Sequence, residues 1–330
     1  EQADVCIINT CTVTDIADRK SRQAIGKLHR LHPNAIIIVI GCYAQLKPEE
    51  IANLPGVNLV LGSHEKFNIL EYLKGLDKNN PTSIHRTEIK HVKEFRHSSS
   101  REDRTRYFLK VQDGCDYFCT YCTIPFARGR SRNAPVSETL AMAQSIIREG
   151  AKEIVLTGVN IGDFGKSSGE SFFDLLKAID DINADVRFRI SSIEPNLLSD
   201  EIITFAAQSK RIMPHFHIPL QSGSNEVLGL MKRKYNRELF AHRVEKIKSL
   251  MPDAFIGVDV IVGVNGETDE YFEDSVQFID SLDISQLHVF TYSERANTKM
   301  LQIEYHNSPA EKKRRSDTLH LLSDKKTKAF

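Results

Sequence analysis

Short apolar runs of strand length alternate with helical patterns along most of this chain. Alternation of this kind predicts parallel sheets, because a parallel neighbour strand is reached through a crossover helix. A chain of 330 residues is also too long for one small core. We therefore predict an α/β protein with domains at 1–76 and 107–330, joined by a polar linker at 77–106 that contains Asn79-Asn-Pro81 and Ser98-Ser-Ser100.

The first series of elements predicts a doubly wound parallel sheet. Strands are expected at 4–9, 35–40 and 58–61, with helices at about 15–31, near Pro48 and after Ser63. Sites in such sheets lie beyond the carboxyl ends of the strands. Cys11 and Cys42 both follow strands, so they should share one edge and form part of a metal site. Cys6, in mid-strand, is expected to be buried.

The second series predicts an open barrel. Strands are expected near 107–112, 153–157, 187–190, 214–218, 256–262 and 286–290, and helices near 137–149, 172–181, 199–209, 236–250, 270–282 and 309–329. Six βα units are fewer than a closed eight-fold barrel requires. We predict a partial (βα)6 barrel with its site at the carboxyl ends of its strands.

The loop after the first barrel strand carries Cys115-Asp-Tyr-Phe-Cys119-Thr-Tyr-Cys122. Thiolates are the usual ligands of iron–sulfur clusters. Three of them leave one iron of a 4Fe-4S cluster without a protein ligand, so that a substrate can chelate it there. The alternative is a structural zinc site, which normally closes with a fourth ligand. No Cys or His follows nearby to supply that ligand.

Other loops at the same barrel edge offer binding residues. Gly158 lets backbone approach a ligand, although a glycine in such a loop is often only a turn residue. Glu194 can accept hydrogen bonds from ribose hydroxyls, and the alternative is a carboxylate at a helix entry. Gln221 follows the fourth strand, and the segment from Asp259 to Gly263 is expected to line an adenine pocket. His215 and His217 share one face of a strand but are interpreted as core residues, not metal ligands.

Composition narrows the class of protein. Apolar content of 41% and charged content of 27% are typical of a globular protein. Lys+Arg and Asp+Glu both number 44, so a nucleic-acid surface must be local. No export signal opens the chain, and the six cysteines suit a reducing cytoplasm. Basic clusters occur at 128–132, 232–234, 312–315 and 325–328; the last two are expected to be solvated helix faces, and the first adjoins the cysteine loop.

In combination these stretches resemble the methylthiotransferase family of radical S-adenosyl-L-methionine (SAM) enzymes. The CxxxCxxC spacing is the radical SAM signature. The resemblance covers nearly the whole chain and includes Asn9-Thr-Cys11-Thr-Val-Thr14, Ala17-Asp-Arg-Lys-Ser-Arg22, Gly41-Cys-Tyr-Ala-Gln45, Lys110-Val-Gln-Asp-Gly-Cys115, Thr123–Gly129, Ser191–Pro195, His217–Ser224 and His288–Arg295. The first two are most similar to the branch that modifies N6-threonylcarbamoyladenosine beside the anticodon of tRNA.

The resemblance implies cofactors and partners. Cys115, Cys119 and Cys122 would hold the 4Fe-4S cluster that binds SAM, and Cys11 and Cys42 would hold two irons of a second 4Fe-4S cluster. Gly158, Glu194, Gln221 and Gly263 would contact SAM, and Arg233 would meet its carboxylate. The expected partners are tRNA and an electron donor of flavodoxin or ferredoxin type. No membrane partner is expected, and the protein is expected to be monomeric.

The sequence departs from the family pattern in several places, and alternative functions stay open. The chain begins with Glu1 and is interpreted as a fragment whose first second-cluster cysteine lies upstream and whose carboxyl-terminal RNA-binding β-barrel is missing. Val264-Asn265-Gly266 stands where Phe-Pro-Gly is usual, and Ala296-Asn297 where Pro-Gly is usual. The sister branches act on isopentenyladenosine in tRNA or on a ribosomal protein. Two further alternatives are another radical SAM reaction and a zinc-stapled RNA-binding module.

Overall fold

The computed structural model of the protein describes residues 3–100 and 106–330. These residues fold into two compact units. The first unit comprises residues 3–93, 121–130 and 293–298. The second comprises residues 94–100, 106–120, 131–292 and 299–330. Residues 1–2 of the predicted first domain and 101–105 of the predicted linker lie outside the described part of the chain.

The first unit is built on a parallel four-stranded sheet in the order β1-β2-β3-β4. Its strands are β1 (Val5–Thr10), β2 (Ile36–Gly41), β3 (Val57–Leu61) and β4 (Ser83–His85). Its helices are α1 (Asp15–Leu31), α2 (Cys42–Leu46), α3 (Pro48–Ala52), α4 (Ile69–Leu73) and, from the distant segment, α5 (Ile124–Arg128).

The packing of alternate residues of β2 shows that both faces of this sheet are covered by helices. Ile37 and Val39 pack in a cluster with Ile25 of α1 and Ile51 of α3. Ile38, between them in sequence, packs in a second cluster with residues of α4. Successive side chains of a strand point to opposite faces, so an uninterrupted apolar run suits a sheet that is buried on both sides. The predicted doubly wound parallel sheet is confirmed.

The second unit contains the predicted partial barrel. Parallel pairing joins β6 to β7 to β8 and, in a second sheet, β9 to β10 to β11, and isolated parallel bridges link β8 to β9. The strands are β5 (Ser98–Ser100), β6 (Tyr107–Lys110), β7 (Glu153–Thr157), β8 (Arg187–Ile190), β9 (His215–Gln221), β10 (Phe255–Val262) and β11 (Gln286–Thr291). Six parallel strands in chain order, β6 to β11, confirm the (βα)6 prediction.

Helices connect these strands and cover the barrel. They are α6 (Val136–Arg148), α7 (Phe172–Asp180), α8 (Asp200–Gln208), α9 (Asn225–Leu230), α10 (Arg237–Leu250), α11 (Asp269–Ser281) and α12 (Pro309–Ala329). The bounds of α12 agree with the sequence prediction because a capping box at Ser308 and Glu311 starts the helix. Helices α2, α5 and α9, of five or six residues, were not predicted.

The stretch predicted as a linker, 77–106, is not irregular throughout. Ser83–His85 adds a fourth strand to the first sheet, and Ser98–Ser100 pairs antiparallel with β6. Three-residue strands leave too little periodicity to distinguish them from polar loops. The domain limits at 76 and 107 stay predictions.

Within the described residues, no helix is long and apolar enough to cross a membrane. One charged residue of α12 is buried instead of solvated, which corrects the prediction for 312–315. Arg315 is completely buried and donates to the Glu267 carboxylate at 2.8 Å and to Asp269 at 3.0 Å. These acidic partners lie at the start of α11 and just before it, so a charge run alone did not reveal the ion pair.

Candidate functional site

The first part of the cysteine loop is fixed to the second unit by hydrogen bonds. The Thr120 amide donates to the Met231 carbonyl at 3.1 Å, and the Thr120 hydroxyl donates to the Leu230 carbonyl at 2.7 Å. The Tyr117 amide donates to Sγ of Cys115 at 3.5 Å. Phe118 has a φ of 50°, which a non-glycine residue rarely adopts. These bonds and this left-handed turn set the direction of Cys115 and Cys119.

Cys119 lies beside a cation. The Arg233 guanidinium donates to Sγ of Cys119 at 3.0 Å, to the Tyr235 hydroxyl at 3.1 Å and to the Glu194 carboxylate. Burial raises the pKa of the Cys119 thiol, and Arg233 opposes this rise. Metal coordination would deprotonate the thiol. The cation therefore stabilises the form of Cys119 that binds iron.

Glu194 and Arg233, two predicted SAM contacts, form an ion pair. The side chain of Glu194 is 14% exposed and that of Arg233 is 3% exposed. Burial raises the pKa of the Glu194 carboxyl, and Arg233 partly offsets this effect. Both groups keep further donor or acceptor positions. They are thus held together beside Cys119, where a zwitterionic ligand would find one charge of each sign.

Gln221 also has a feature of a binding residue. It stands at the end of β9 with a φ of 68°. Its side-chain Oε1 is buried, and within the described residues it finds no hydrogen-bond donor. A buried acceptor without a donor costs about 1–3 kcal/mol, so a ligand that donates to this oxygen would remove a real penalty.

Gly158 lies in a loop that a buried glutamine holds in place. Oε1 of Gln112 accepts from the amides of Val159 and Asn160, both at 2.9 Å, and its Nε2 donates to the Gly114 carbonyl at 2.7 Å. A Cβ added to Gly158 would lie 2.9 Å from that same Oε1. Gln112 therefore ties the Gly158 loop to the residue before Cys115. The sequence prediction did not assign it this role, although a glutamine at the carboxyl end of a predicted apolar strand is a usable signal.

Gly263 has a different environment. It adopts a φ of 74°, and its amide donates to the Glu267 carboxylate at 2.5 Å. A Cβ at this position would lie 2.4 Å from Cγ of Lys312. The glycine is thus required by its backbone conformation and by close packing against α12, and its place near a ligand stays a prediction.

The remaining predicted cysteines lie in the first unit. Cys11 is exposed and directly follows β1; Cys42 is buried and directly follows β2. Thr10 and Gly41, the residues before them, are register partners, so the two cysteines leave neighbouring strands at the same edge. Nε of Arg128 donates to Sγ of Cys42 at 3.4 Å. Cys122 is half-buried and also belongs to this unit.

Two residues of the basic cluster at 128–132 have local partners. Arg128 contacts Cys42, as described above. Arg132 is buried, donates to Asp113 at 3.3 Å and donates to the Glu94 carbonyl at 2.9 Å. Since a buried, paired guanidinium cannot reach a phosphate without losing those bonds, Arg132 does not add to a surface for RNA. Arg130 is exposed.

The donor set fits the predicted cofactors. Cys119 has a cation beside its sulfur, the Glu194–Arg233 pair offers both charges, and Gln221 offers an unsatisfied acceptor. These are the groups that a thiolate-bound cluster and an amino-acid ligand with hydroxyl groups require. A structural zinc site would need no such unsatisfied acceptor nearby.

Comparison with known proteins shows the superfamily and the fold. The profile of the radical SAM superfamily matches residues 109–279, and the profile of an uncharacterized protein family, UPF0004, matches residues 1–62. The solved radical SAM methyltransferase TsrM of Kitasatospora setae is similar with a TM-score of 0.65 and 16% identity, over 88% of this chain and 62% of that one. At that identity the similarity concerns the fold.

Curated relatives are similar over nearly the whole chain. Threonylcarbamoyladenosine tRNA methylthiotransferase MtaB of Bacillus subtilis is 41% identical, over 100% of this chain and 74% of the relative. The tRNA-2-methylthio-N(6)-dimethylallyladenosine synthase of Clostridium botulinum is 34% identical, over 100% of this chain and 76% of the relative. With a cysteine loop built as described and relatives of this kind, the chain belongs to the methylthiotransferase family of the radical SAM superfamily.

Proposed function

We propose that this protein transfers a methylthio group to carbon 2 of N6-threonylcarbamoyladenosine next to the anticodon of tRNA. One observation carries the choice of substrate. Five curated threonylcarbamoyladenosine tRNA methylthiotransferases share 37–41% identity with this chain over 89–100% of its length. The dimethylallyladenosine synthases share 34%. The same order of similarity was predicted from the Cys-Thr-Val-Thr and Ala-Asp-Arg-Lys-Ser-Arg stretches.

Cys115, Cys119 and Cys122 are proposed to hold a 4Fe-4S cluster, with SAM at its open iron. When bound, cluster and SAM supply a 5′-deoxyadenosyl radical, which can attack a carbon–hydrogen bond that acid–base groups cannot. The role proposed for the chain's own residues is to bind and orient SAM. Arg233 is proposed to take the SAM carboxylate, and Glu194 to take a positive or hydroxyl group of SAM.

The other barrel residues complete the SAM site in this proposal. Gln221 accepts a hydrogen bond through its buried Oε1, and Gly158 and Gly263 let backbone approach the ligand. Burial of Glu194 and Arg233 supports this, because charges in a water-poor site interact more strongly. Residues that hold SAM in a fixed position would also keep it close to the target carbon, which speeds the reaction.

Cys11 and Cys42 are proposed as two ligands of a second 4Fe-4S cluster. Their place at the carboxyl ends of adjacent parallel strands supports this, as does the Arg128 contact to Cys42. Hydrogen bonds to ligand sulfur are one of the means by which a protein sets a cluster's reduction potential. We propose further that a flavodoxin or ferredoxin supplies electrons, and that the protein acts in the cytoplasm as a monomer.

The test is mass spectrometry of tRNA nucleosides from a strain that lacks the gene. We expect the methylthio form of threonylcarbamoyladenosine to disappear and the unmodified nucleoside to accumulate. The wild-type gene should restore it, and a Cys42→Ala gene should not. Cys6→Ala, a change at a buried cysteine of the same unit, is the matched control and should restore it. Loss of the methylthio isopentenyladenosine form instead would overturn the choice of substrate.

A further inference from the structure

Three neighbouring barrel strands bring two histidines and an aspartate onto one face. Asp259 of β10 and His288 of β11 are register partners. His217 of β9 is the partner of Gly257, which lies two residues before Asp259. Because residues two apart on a strand share a face, His217, Asp259 and His288 project from the same side of the sheet. None of the three was assigned as a metal ligand from the sequence.

The side-chain atoms of these residues converge. Nε2 of His217 lies 2.6 Å from Oδ1 of Asp259, and Nδ1 of His288 lies 3.1 Å from the same oxygen. The two ring nitrogens are 3.4 Å apart. Four-coordinate zinc with bonds of about 2.0–2.2 Å separates its ligand atoms by about 3.3 Å. Two of the three separations are therefore close to metal-ligand spacing, and the third, at 2.6 Å, needs to widen by about 0.7 Å.

The cluster opens on a cavity. His217 and His288 line a space of about 290 Å³ together with Gly257, Ser191 and Phe255. Gly257 adds no side chain to this space, in which a Cβ would lie 3.2 Å from Cε1 of Phe255 and 3.6 Å from Cε1 of His288. A metal held by three side chains would thus have room for a water as a further ligand.

The charges nearby do not compete for the carboxylate. Asp259 forms its described ion pairs with the two imidazoles. Arg189 and Arg106 line the same cavity, and both are paired with Glu153, at 3.1 Å and 3.7 Å. A partly buried carboxylate flanked only by imidazoles in the described structure retains a negative charge that a cation can neutralise.

We propose that His217, Asp259 and His288 bind one divalent first-row transition metal ion, Zn²⁺ or Fe²⁺, separate from any cysteine-bound cluster. Two imidazoles and one carboxylate with an open position are the ligand set of catalytic zinc sites and of non-haem Fe²⁺ sites. A parallel bridge pairs His217 with Ser192, which is two residues before Glu194, so the metal would lie near the SAM residues.

The test measures metal content in the cluster-reconstituted protein. After anaerobic reconstitution and dialysis against a mild chelator, elemental analysis gives zinc and iron, and acid-labile sulfide gives the number of clusters. We expect one zinc or one additional iron per chain beyond the cluster iron. Anomalous diffraction at the zinc and iron absorption edges should locate that atom between the three side chains and distinguish the two elements.

Variants make the assignment specific. Loss of an outer partner already costs about 10–100-fold in metal affinity, so Asp259→Asn and His288→Gln should each lose at least about a hundredfold in a chelator competition. His215→Gln changes a histidine on the same strand that stacks on Phe255, and should keep the ion. Circular dichroism identifies a misfolded variant, and the half-exposed His288 is the milder change. An equal metal content in all forms, or no metal beyond the clusters in the wild type, would overturn the proposal.

Discussion

Replacing Arg233 by methionine removes the cation that faces both Glu194 and Cys119. The pair is almost fully enclosed, with 3% of the Arg233 side chain and 14% of the Glu194 side chain exposed. Removing one partner of a buried ion pair leaves the other charge without compensation and costs about 3–5 kcal/mol. That is a large part of a total stability of about 5–15 kcal/mol. We expect the free energy of unfolding of Arg233→Met to fall by this amount.

The assay is urea unfolding, followed by circular dichroism, together with calorimetric titration of SAM. Adding Glu194→Gln to Arg233→Met replaces the stranded carboxylate with a neutral amide and should recover most of the lost stability. The double variant should bind SAM as poorly as Arg233→Met does, because Arg233, the proposed partner of the SAM carboxylate, is absent from both. Recovery of folding without recovery of binding separates the two roles of Arg233.

Arg237 supplies the matched control. Its ion pair with Asp274 is open to solvent, with 30% and 41% of the two side chains exposed. Exposed pairs contribute about 0–1 kcal/mol, so Arg237→Met should change stability by no more than that. If Arg233→Met were as mild as Arg237→Met, the buried pair would not be the energetic feature inferred from the structure.

Three further changes test other parts of the molecule. Arg315→Met should cost about 3–5 kcal/mol by stranding Glu267, and adding Glu267→Gln should restore most of it in urea unfolding; an unaffected single variant would contradict the buried pair. Gln112→Leu removes the acceptor of two loop amides, at about 1–3 kcal/mol each if they stay buried, and should speed hydrogen exchange at Val159 and Asn160; unchanged exchange would refute its role. Burial raises the pKa of the Glu50 carboxyl, but Tyr43 and the nearby cations lower it by more. The net pKa of Glu50 is therefore below 4.5. The stability that ionised Glu50 contributes is therefore present above pH 4.5 and is lost as the pH falls through the lower folded-state pKa. Glu50→Gln should make the free energy of unfolding less dependent on pH in that range. An unchanged pH profile would count against this contact.

Periodicity in the sequence was enough to predict the elements that carry a long apolar stripe or a cap. Helix α1, capped by Thr14, and helix α12 have the bounds that were predicted. The three-residue strand β4 was missed because its pairing with β3, more than twenty residues earlier, decides its conformation. Local pattern does not contain that information.

For the site, too, the local sequence pattern predicted some features, and contacts between distant residues decided the others. From the sequence alone, the spacing of Cys115, Cys119 and Cys122 predicted an iron–sulfur site in this loop. The contacts that orient it, such as Arg233 on Cys119, join residues 114 positions apart. His288 and Asp259 likewise meet only through strand register. Distant partners of this kind follow from the fold and not from neighbouring residues.

The most direct measurement incubates the anaerobically reconstituted protein with SAM, a reductant and tRNA that carries N6-threonylcarbamoyladenosine. Liquid chromatography and mass spectrometry then quantify 5′-deoxyadenosine and the digested nucleosides in the same sample. We predict that 5′-deoxyadenosine and the methylthio form of threonylcarbamoyladenosine accumulate together, and that Cys119→Ala yields neither. The appearance of 5′-deoxyadenosine with threonylcarbamoyladenosine left unmodified, or of the methylthio product with Cys119→Ala, would contradict the account.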